Sequence, residues 1–133
     1  MKLRILHIED DLMYYHLIKE MLRAEGIDCE IERVDTRGKV RRALRDWKFD
    51  LILCDYTIPS YSGMAALLDV RKENTEIPFI FVSGTIGEAR TAEAFKLGAT
   101  NYVPKDDLTR LAPAIRRAMR EVEEHRKGKS TTQ

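Results

Sequence analysis

Short apolar runs and helical periods alternate along almost the whole of this chain. Leu3, Ile5, Leu6 and Ile8 form a first strand-like run. From Tyr14, apolar or aromatic residues recur at positions 14, 17, 18, 21 and 22, which is one face of a helix that Gly26 stops. Cys29, Ile31 and Val34 sit in a more polar second strand, as an edge strand would. Val40, Ala43, Leu44 and Trp47 repeat at i, i+3, i+4 and i+7 and set a second helix, capped by Asp35 or Thr36. Residues 51–54 are continuously apolar, the mark of a strand covered on both faces. A loop with Pro59, Ser60 and Gly63 leads into a third helix through Met64, Leu67 and Leu68. A fourth strand, 79–82, begins after Pro78; a weaker helix, 88–97, ends at Gly98; and 100–103 is a short fifth strand. Leu111, Ile115, Ala118, Met119 and Val122 share a stripe of the last helix. Pro113 fits only a first turn, so that helix starts near 110–112, with Leu108 in the turn before it.

Strict alternation of strand and helix selects a parallel sheet with helices on both faces. For 133 residues the expected architecture is α/β, a flavodoxin-like (βα)5 doubly wound sheet of five strands in the order 2-1-3-4-5. One domain is expected over residues 1–127, with 128–133 a flexible polar tail. Charged residues make up 34% of the chain but nearly cancel, leaving a net charge of +1. That balance argues against direct DNA binding, which calls for a strongly basic domain. The basic second helix, with Arg37, Lys39, Arg41, Arg42, Arg45 and Lys48, reads as a solvated face. Cys29 and Cys54 lack metal-site spacing and are expected to be reduced thiols. No apolar run approaches the ~18 residues of a membrane helix, and no secretory leader is visible, so a cytoplasmic location is expected.

The strand order carries the functional expectation, because ligands of such sheets bind beyond the carboxyl ends of the strands at the switch point. Glu9, Asp10 and Asp11 follow the first strand, Asp55 the third, Ser83 and Gly84 the fourth, and Pro104, Lys105 and Asp106 the fifth. Glu9, Asp10 and Asp55 would bring three carboxylates to one crevice, and these repel each other unless a cation intervenes. A hard Mg²⁺ ion takes such oxygen ligands and keeps room for waters and a phosphate oxygen. Lys105 adds a compact positive charge and Ser83 a hydroxyl donor. A metal, an ammonium and a hydroxyl around an ionised carboxylate are what transfer of a phosphoryl group to that carboxylate requires. Asp55 is the expected acceptor, and it needs no general base.

These pieces resemble a response-regulator receiver domain of two-component signalling, of the single-domain, chemotaxis-regulator kind. The resemblance rests on Ile5-Leu6-His7-Ile8-Glu9-Asp10-Asp11, Asp55-Tyr56-Thr57-Ile58-Pro59, Phe81-Val82-Ser83-Gly84, Gly98-Ala99-Thr100-Asn101-Tyr102-Val103 and Lys105. No single piece is decisive; the ordered set, each piece after its own strand, is. The resemblance implies Asp55 as phosphoacceptor, Mg²⁺ on Glu9, Asp10, Asp55 and the Thr57 backbone carbonyl, phosphoryl contacts from Ser83 and Lys105, and Ser83 with Tyr102 as the switch. It implies a sensor histidine kinase or phosphotransfer protein as donor. It also implies a downstream protein that reads the face made by the fourth helix, fifth strand and last helix, through which the chain is monomeric or dimeric. One departure stands out. The family often has Lys-Pro after the fifth strand, whereas this chain has Pro104-Lys105-Asp106.

Other functions known for this kind of fold place different demands on the same positions. A flavin carrier on this fold needs a phosphate-holding loop after the first strand, and Glu9-Asp10-Asp11 would repel phosphate there. A phosphatase would want a carboxylate two residues after the nucleophile, where this chain has Thr57. A receiver module of a longer hybrid kinase or regulator, or an interaction module that works without phosphorylation, are the remaining alternatives. His7, inside a strand, reads as a core histidine and not as a ligand.

Overall fold

The structure, a computed structural model, describes residues 2–131, with side chains as far as residue 128. Five strands, β1 (Leu3–Ile8), β2 (Cys29–Val34), β3 (Leu51–Cys54), β4 (Phe79–Ser83) and β5 (Asn101–Pro104), alternate with α1 (Leu12–Ala24), α2 (Arg37–Asp46), α3 (Gly63–Glu73), α4 (Glu88–Lys96) and α5 (Leu111–Thr131). The sheet is parallel throughout, in the order β2-β1-β3-β4-β5. The flavodoxin-like order expected from the alternation is the one found.

Pleating explains why β3, and β4 as far as Val82, are apolar without a break. Leu6, Ile8, Ile52, Cys54, Phe79 and Phe81 point to one face and pack with Val40, Leu67 and Val70. Ile5, Leu51, Leu53, Ile80 and Val82 point to the other and pack with Ile18, Leu22, Leu111 and Ile115. Both faces are covered, which favours an apolar residue at every position; His7 of β1 is a fully buried exception.

The caps follow the local chemistry. Asp11 accepts the Met13 amide at 2.9 Å and starts α1, and Thr36, not Asp35, accepts the Lys39 amide at 3.2 Å to start α2. Trp47 departs from the sequence expectation. It ends α2 instead of extending its apolar stripe, stands 51% exposed, and lies beneath the Arg4 guanidinium at 4.5 Å. A cation over the ring face compensates for the missing burial. Pro113 falls in the first turn of α5, and Leu108 lies in a 3-10 turn just before it, as its ring requires. The helix runs past Gly128 to Thr131, since one glycine costs only ~1 kcal/mol in a helix; Thr132 and Gln133 lie outside the described residues.

Gly63, the first residue of α3, sits where its backbone packs tightly against the chain leaving β3 and against Phe81. A Cβ there would meet the Asp55 carbonyl oxygen and Tyr56 Cα at 2.6 Å and Phe81 Cε1 at 2.8 Å. Two of these are backbone atoms that cannot step aside. Gly63→Ala is therefore expected to destabilise the fold by about 2–3 kcal/mol, as overpacked sites do. Urea unfolding measures it, and a midpoint equal to wild type would contradict the close approach.

Candidate functional site

Strand register brings the site together. Ile8 lies opposite Val34 on one side and Cys54 on the other. The next amides continue the ladder: Glu9 N–H donates to Val34 O and Asp55 N–H to Ile8 O, each at 2.9 Å. Glu9 and Asp55 thus leave adjacent strands at the same level. Across the sheet, Ser83 pairs with Pro104, and Lys105 N–H donates to Ser83 O at 2.8 Å. This added rung turns the Lys105 side chain toward the crevice, although proline precedes the lysine. No peptide bond among the described residues is cis.

Asp55 is 6% exposed, and both of its carboxylate oxygens are engaged. Oδ1 accepts from the Ser83 hydroxyl at 2.8 Å and from the Thr57 amide at 3.1 Å. Oδ2 accepts from Lys105 Nζ at 2.9 Å. The same ammonium is 2.8 Å from Glu9 Oε1. Glu9 is fully buried, and its other oxygen accepts the Asp11 amide at 3.1 Å. Arg33 on β2 donates to the Glu9 carbonyl at 3.0 Å and so fixes the backbone of the acidic turn.

The electrostatics follow from burial set against pairing. Burial raises the Glu9 carboxyl to about 7; the Lys105 ammonium and the Asp11 amide draw it back only in part. Burial alone would lower Lys105, but its bonds to Asp55 and Glu9 outweigh that, so the amine is held above its ordinary value.

Glu9, Asp10 and Asp55 each offer a carboxylate oxygen, all within 4.8 Å of one another. Two of the three residues are buried and Asp10 is exposed. The donor set is all oxygen, open on one side, and carries more negative charge than one ammonium balances, so it suits a hard divalent cation such as Mg²⁺.

Of the residues expected at this site from sequence, Glu9, Asp10, Asp55, Ser83 and Lys105 converge, and Thr57 touches Asp55 through its backbone N–H. Tyr102 stands at the margin. Its hydroxyl donates to the Ser83 carbonyl at 3.3 Å and to the Gly84 carbonyl. Two neighbours have surroundings that no local pattern shows. The Tyr14 ring on α1 lies over Lys105 Nζ, 4.0 Å from its centroid. His7 is fully buried as expected, yet neither ring nitrogen has a hydrogen-bond partner among the described residues. Burial, followed by the charge of Lys105, pushes its imidazole down to about 3. Tyr14 counted in the sequence only as part of an apolar stripe, and nothing local distinguished it from core packing.

Comparison with known proteins bears on this geometry. The family profile described as response regulator receiver domain matches residues 5–116. The transcriptional regulatory protein RprY of Bacteroides fragilis is 35% identical over 123 residues, 90% of this chain and 51% of that protein. The transcriptional regulatory protein ZraR of Salmonella typhimurium is 28% identical over 121 residues, 89% of this chain and 26% of that protein. The chain thus spans about half, or about a quarter, of the length of these relatives. A solved response regulator receiver domain protein from Clostridium thermocellum superposes with a TM-score of 0.80 at 24% identity, covering 91% of this chain and 97% of that one, a likeness of fold.

Proposed function

The chain belongs to the response regulator receiver domain family, and we propose that its Asp55 accepts a phosphoryl group from a phosphohistidine on a sensor histidine kinase or phosphotransfer protein. The observation that carries this reading is a single carboxylate, Asp55, with Ser83, the Thr57 amide and Lys105 on its oxygens and two further carboxylates beside it. A carboxylate oxygen of Asp55 attacks phosphorus. The O–P bond forms as the P–N bond to the donor imidazole breaks, and that imidazole takes a proton from solvent. Glu9, Asp10, Asp55 and the Thr57 backbone carbonyl would hold Mg²⁺, which when bound supplies positive charge against the phosphoryl oxygens. Lys105 and Ser83 stand ready to move from the Asp55 carboxylate to the incoming oxygens.

The phosphoryl group brings about −1.5 to −2 charge into a crevice already lined with carboxylates. Ser83 is tied by its hydroxyl to Asp55 and by its carbonyl to the Tyr102 hydroxyl. A change at the first bond therefore reaches β5. Helix α4 is lightly held: Ala94 is its only buried residue, and its cap, Gly87, has no side chain to accept the amides of the first turn. Phosphorylation is read as shifting the population of the α4–β5–α5 face. That face, with Phe95 exposed on it, would regulate a downstream protein or pair with a second copy of the chain. The greater length of the curated relatives supports the receiver-module form of this reading, in which the domain serves a longer regulator.

The test uses Mg²⁺ and a small phosphodonor such as acetyl phosphate. Wild type is expected to gain the mass of one phosphate, and Asp55→Asn none. No adduct on wild type, or an adduct that survives in Asp55→Asn, would overturn the assignment.

A further inference from the structure

Lys105 is enclosed on three sides. Glu9 Oε1 lies 2.8 Å from its Nζ, Asp55 Oδ2 2.9 Å, and the Tyr14 ring centroid 4.0 Å. We propose that Tyr14 is a positioning residue for Lys105, its ring face keeping the ammonium in the crevice before and after phosphoryl transfer. This rests on the reading of Asp55 as phosphoacceptor.

The need for such a residue follows from how the lysine is otherwise held. Its ammonium ends a flexible four-carbon stem, unlike the pre-shaped fork of an arginine. Before transfer, Glu9 and Asp55 hold it by charge. A divalent cation bound to the same carboxylates would compete for that charge, and esterification of one Asp55 oxygen removes an acceptor. The attraction of an aromatic face to a cation comes from the ring quadrupole, which neither event changes. Tyr14 therefore maintains its pull while the carboxylates divide theirs.

The placement is specific. Asp11 caps α1 through the Met13 amide, so the helix begins at the acidic turn itself and its first turn carries Tyr14 over the crevice. The next residue, Tyr15, faces elsewhere: its hydroxyl bonds the Ile31 carbonyl on β2, and its ring is 5.9 Å from Lys19 Nζ. Of the two tyrosines, Tyr14 is the one that addresses Lys105.

The full chain is compared as wild type, Tyr14→Leu and Tyr14→Phe. Leucine keeps apolar bulk without a π face, whereas phenylalanine keeps the face without the hydroxyl. Without metal, NMR should show the Lys105 ε-methylene protons moved upfield by the ring current in wild type and Tyr14→Phe and not in Tyr14→Leu; Lys105→Met assigns the signal. With Mg²⁺ and acetyl phosphate, Tyr14→Leu should be phosphorylated about three- to tenfold more slowly, and Tyr14→Phe within about twofold of wild type. The proposal is overturned if Tyr14→Leu matches wild type in either measurement, or if Tyr14→Phe falls as far as Tyr14→Leu. If wild type takes no phosphate, the phosphoacceptor reading fails instead, and the upfield signal by itself decides whether the ring holds the amine.

Discussion

Lys105→Met should unfold at a much lower urea concentration than wild type at pH 8 and close to wild type at pH 5.5. The ammonium sits between two buried carboxylates, with its own side chain only 13% exposed. Removing one partner of a buried ion pair leaves uncompensated charge and typically costs ~3–5 kcal/mol. Here the cost depends on pH. Glu9 is raised to about 7 even with the lysine in place, because burial already disfavours its charge. Losing the ammonium raises it further. At pH 5.5 Glu9 carries a proton and the repulsion in the crevice is relieved; at pH 8 it does not. Added Mg²⁺ should restore much of the loss at pH 8, since on the proposed reading it would bind the folded cluster and not the unfolded chain. Phosphorylation by acetyl phosphate should fall by about 10²–10³, the usual consequence of removing a preorganised charge at a transferring group. A pH-independent loss, or none, would mean that Lys105 is not the counter-charge of this cluster.

The second large effect is a stabilisation. His7 lies on the same face of the sheet as Ile5, fully buried, with both ring nitrogens unpartnered among the described residues. A buried donor left without an acceptor costs ~1–3 kcal/mol. His7→Leu is expected to recover about that much at pH 7.5, provided the apolar side chain fills the site. The pH dependence is the sharper test. The folded histidine stays neutral down to about 3, while the unfolded one takes a proton near 6.5. The unfolded chain therefore binds more protons across that window, and stability falls as pH drops through it, by ~1.4 kcal/mol per pH unit. Glu9 acts in the opposite direction. Its folded carboxyl holds a proton up to about 7, against 4.5 for an ordinary glutamate. Its contribution is present at low pH and is lost as pH rises through about 7. Between pH 4.5 and 6.5 the two effects oppose each other, so wild-type stability should be nearly level there. In His7→Leu only the Glu9 effect remains, and stability should climb on acidification from pH 7 to 4.5. Urea titrations at three pH values in that range decide the matter; a variant that weakens in acid would refute the account.

Much of this architecture is visible in one dimension. The unbroken Leu51–Cys54 run marked a strand covered on both faces, and β3 is buried throughout. Asp11 and Pro113 sit where cap and first-turn chemistry put them. Trp47 illustrates the limit: it matched a helical period, but the helix ended one residue earlier and Arg4, distant in sequence, took its ring instead. Periodicity says which residues share a face, and it is silent about where a helix stops when a cation from another strand competes for the side chain. Arg37 shows the same limit on a helix that read as solvated, for its guanidinium bonds Asp69 of α3 at 3.1 Å.

The order of residue types along the chain was enough to determine a parallel α/β sheet and the short list of groups that leave its strand ends. Those are properties of local pattern and of chain connectivity. Only the tertiary structure decided that Lys105 reaches a carboxylate 50 residues away, that Tyr14 lies across the same ammonium, and that His7 is shut in without a partner. Such contacts depend on the direction of each side chain across packed elements. That direction is set jointly by register, helix placement and neighbouring charge, and no stretch of sequence holds all three.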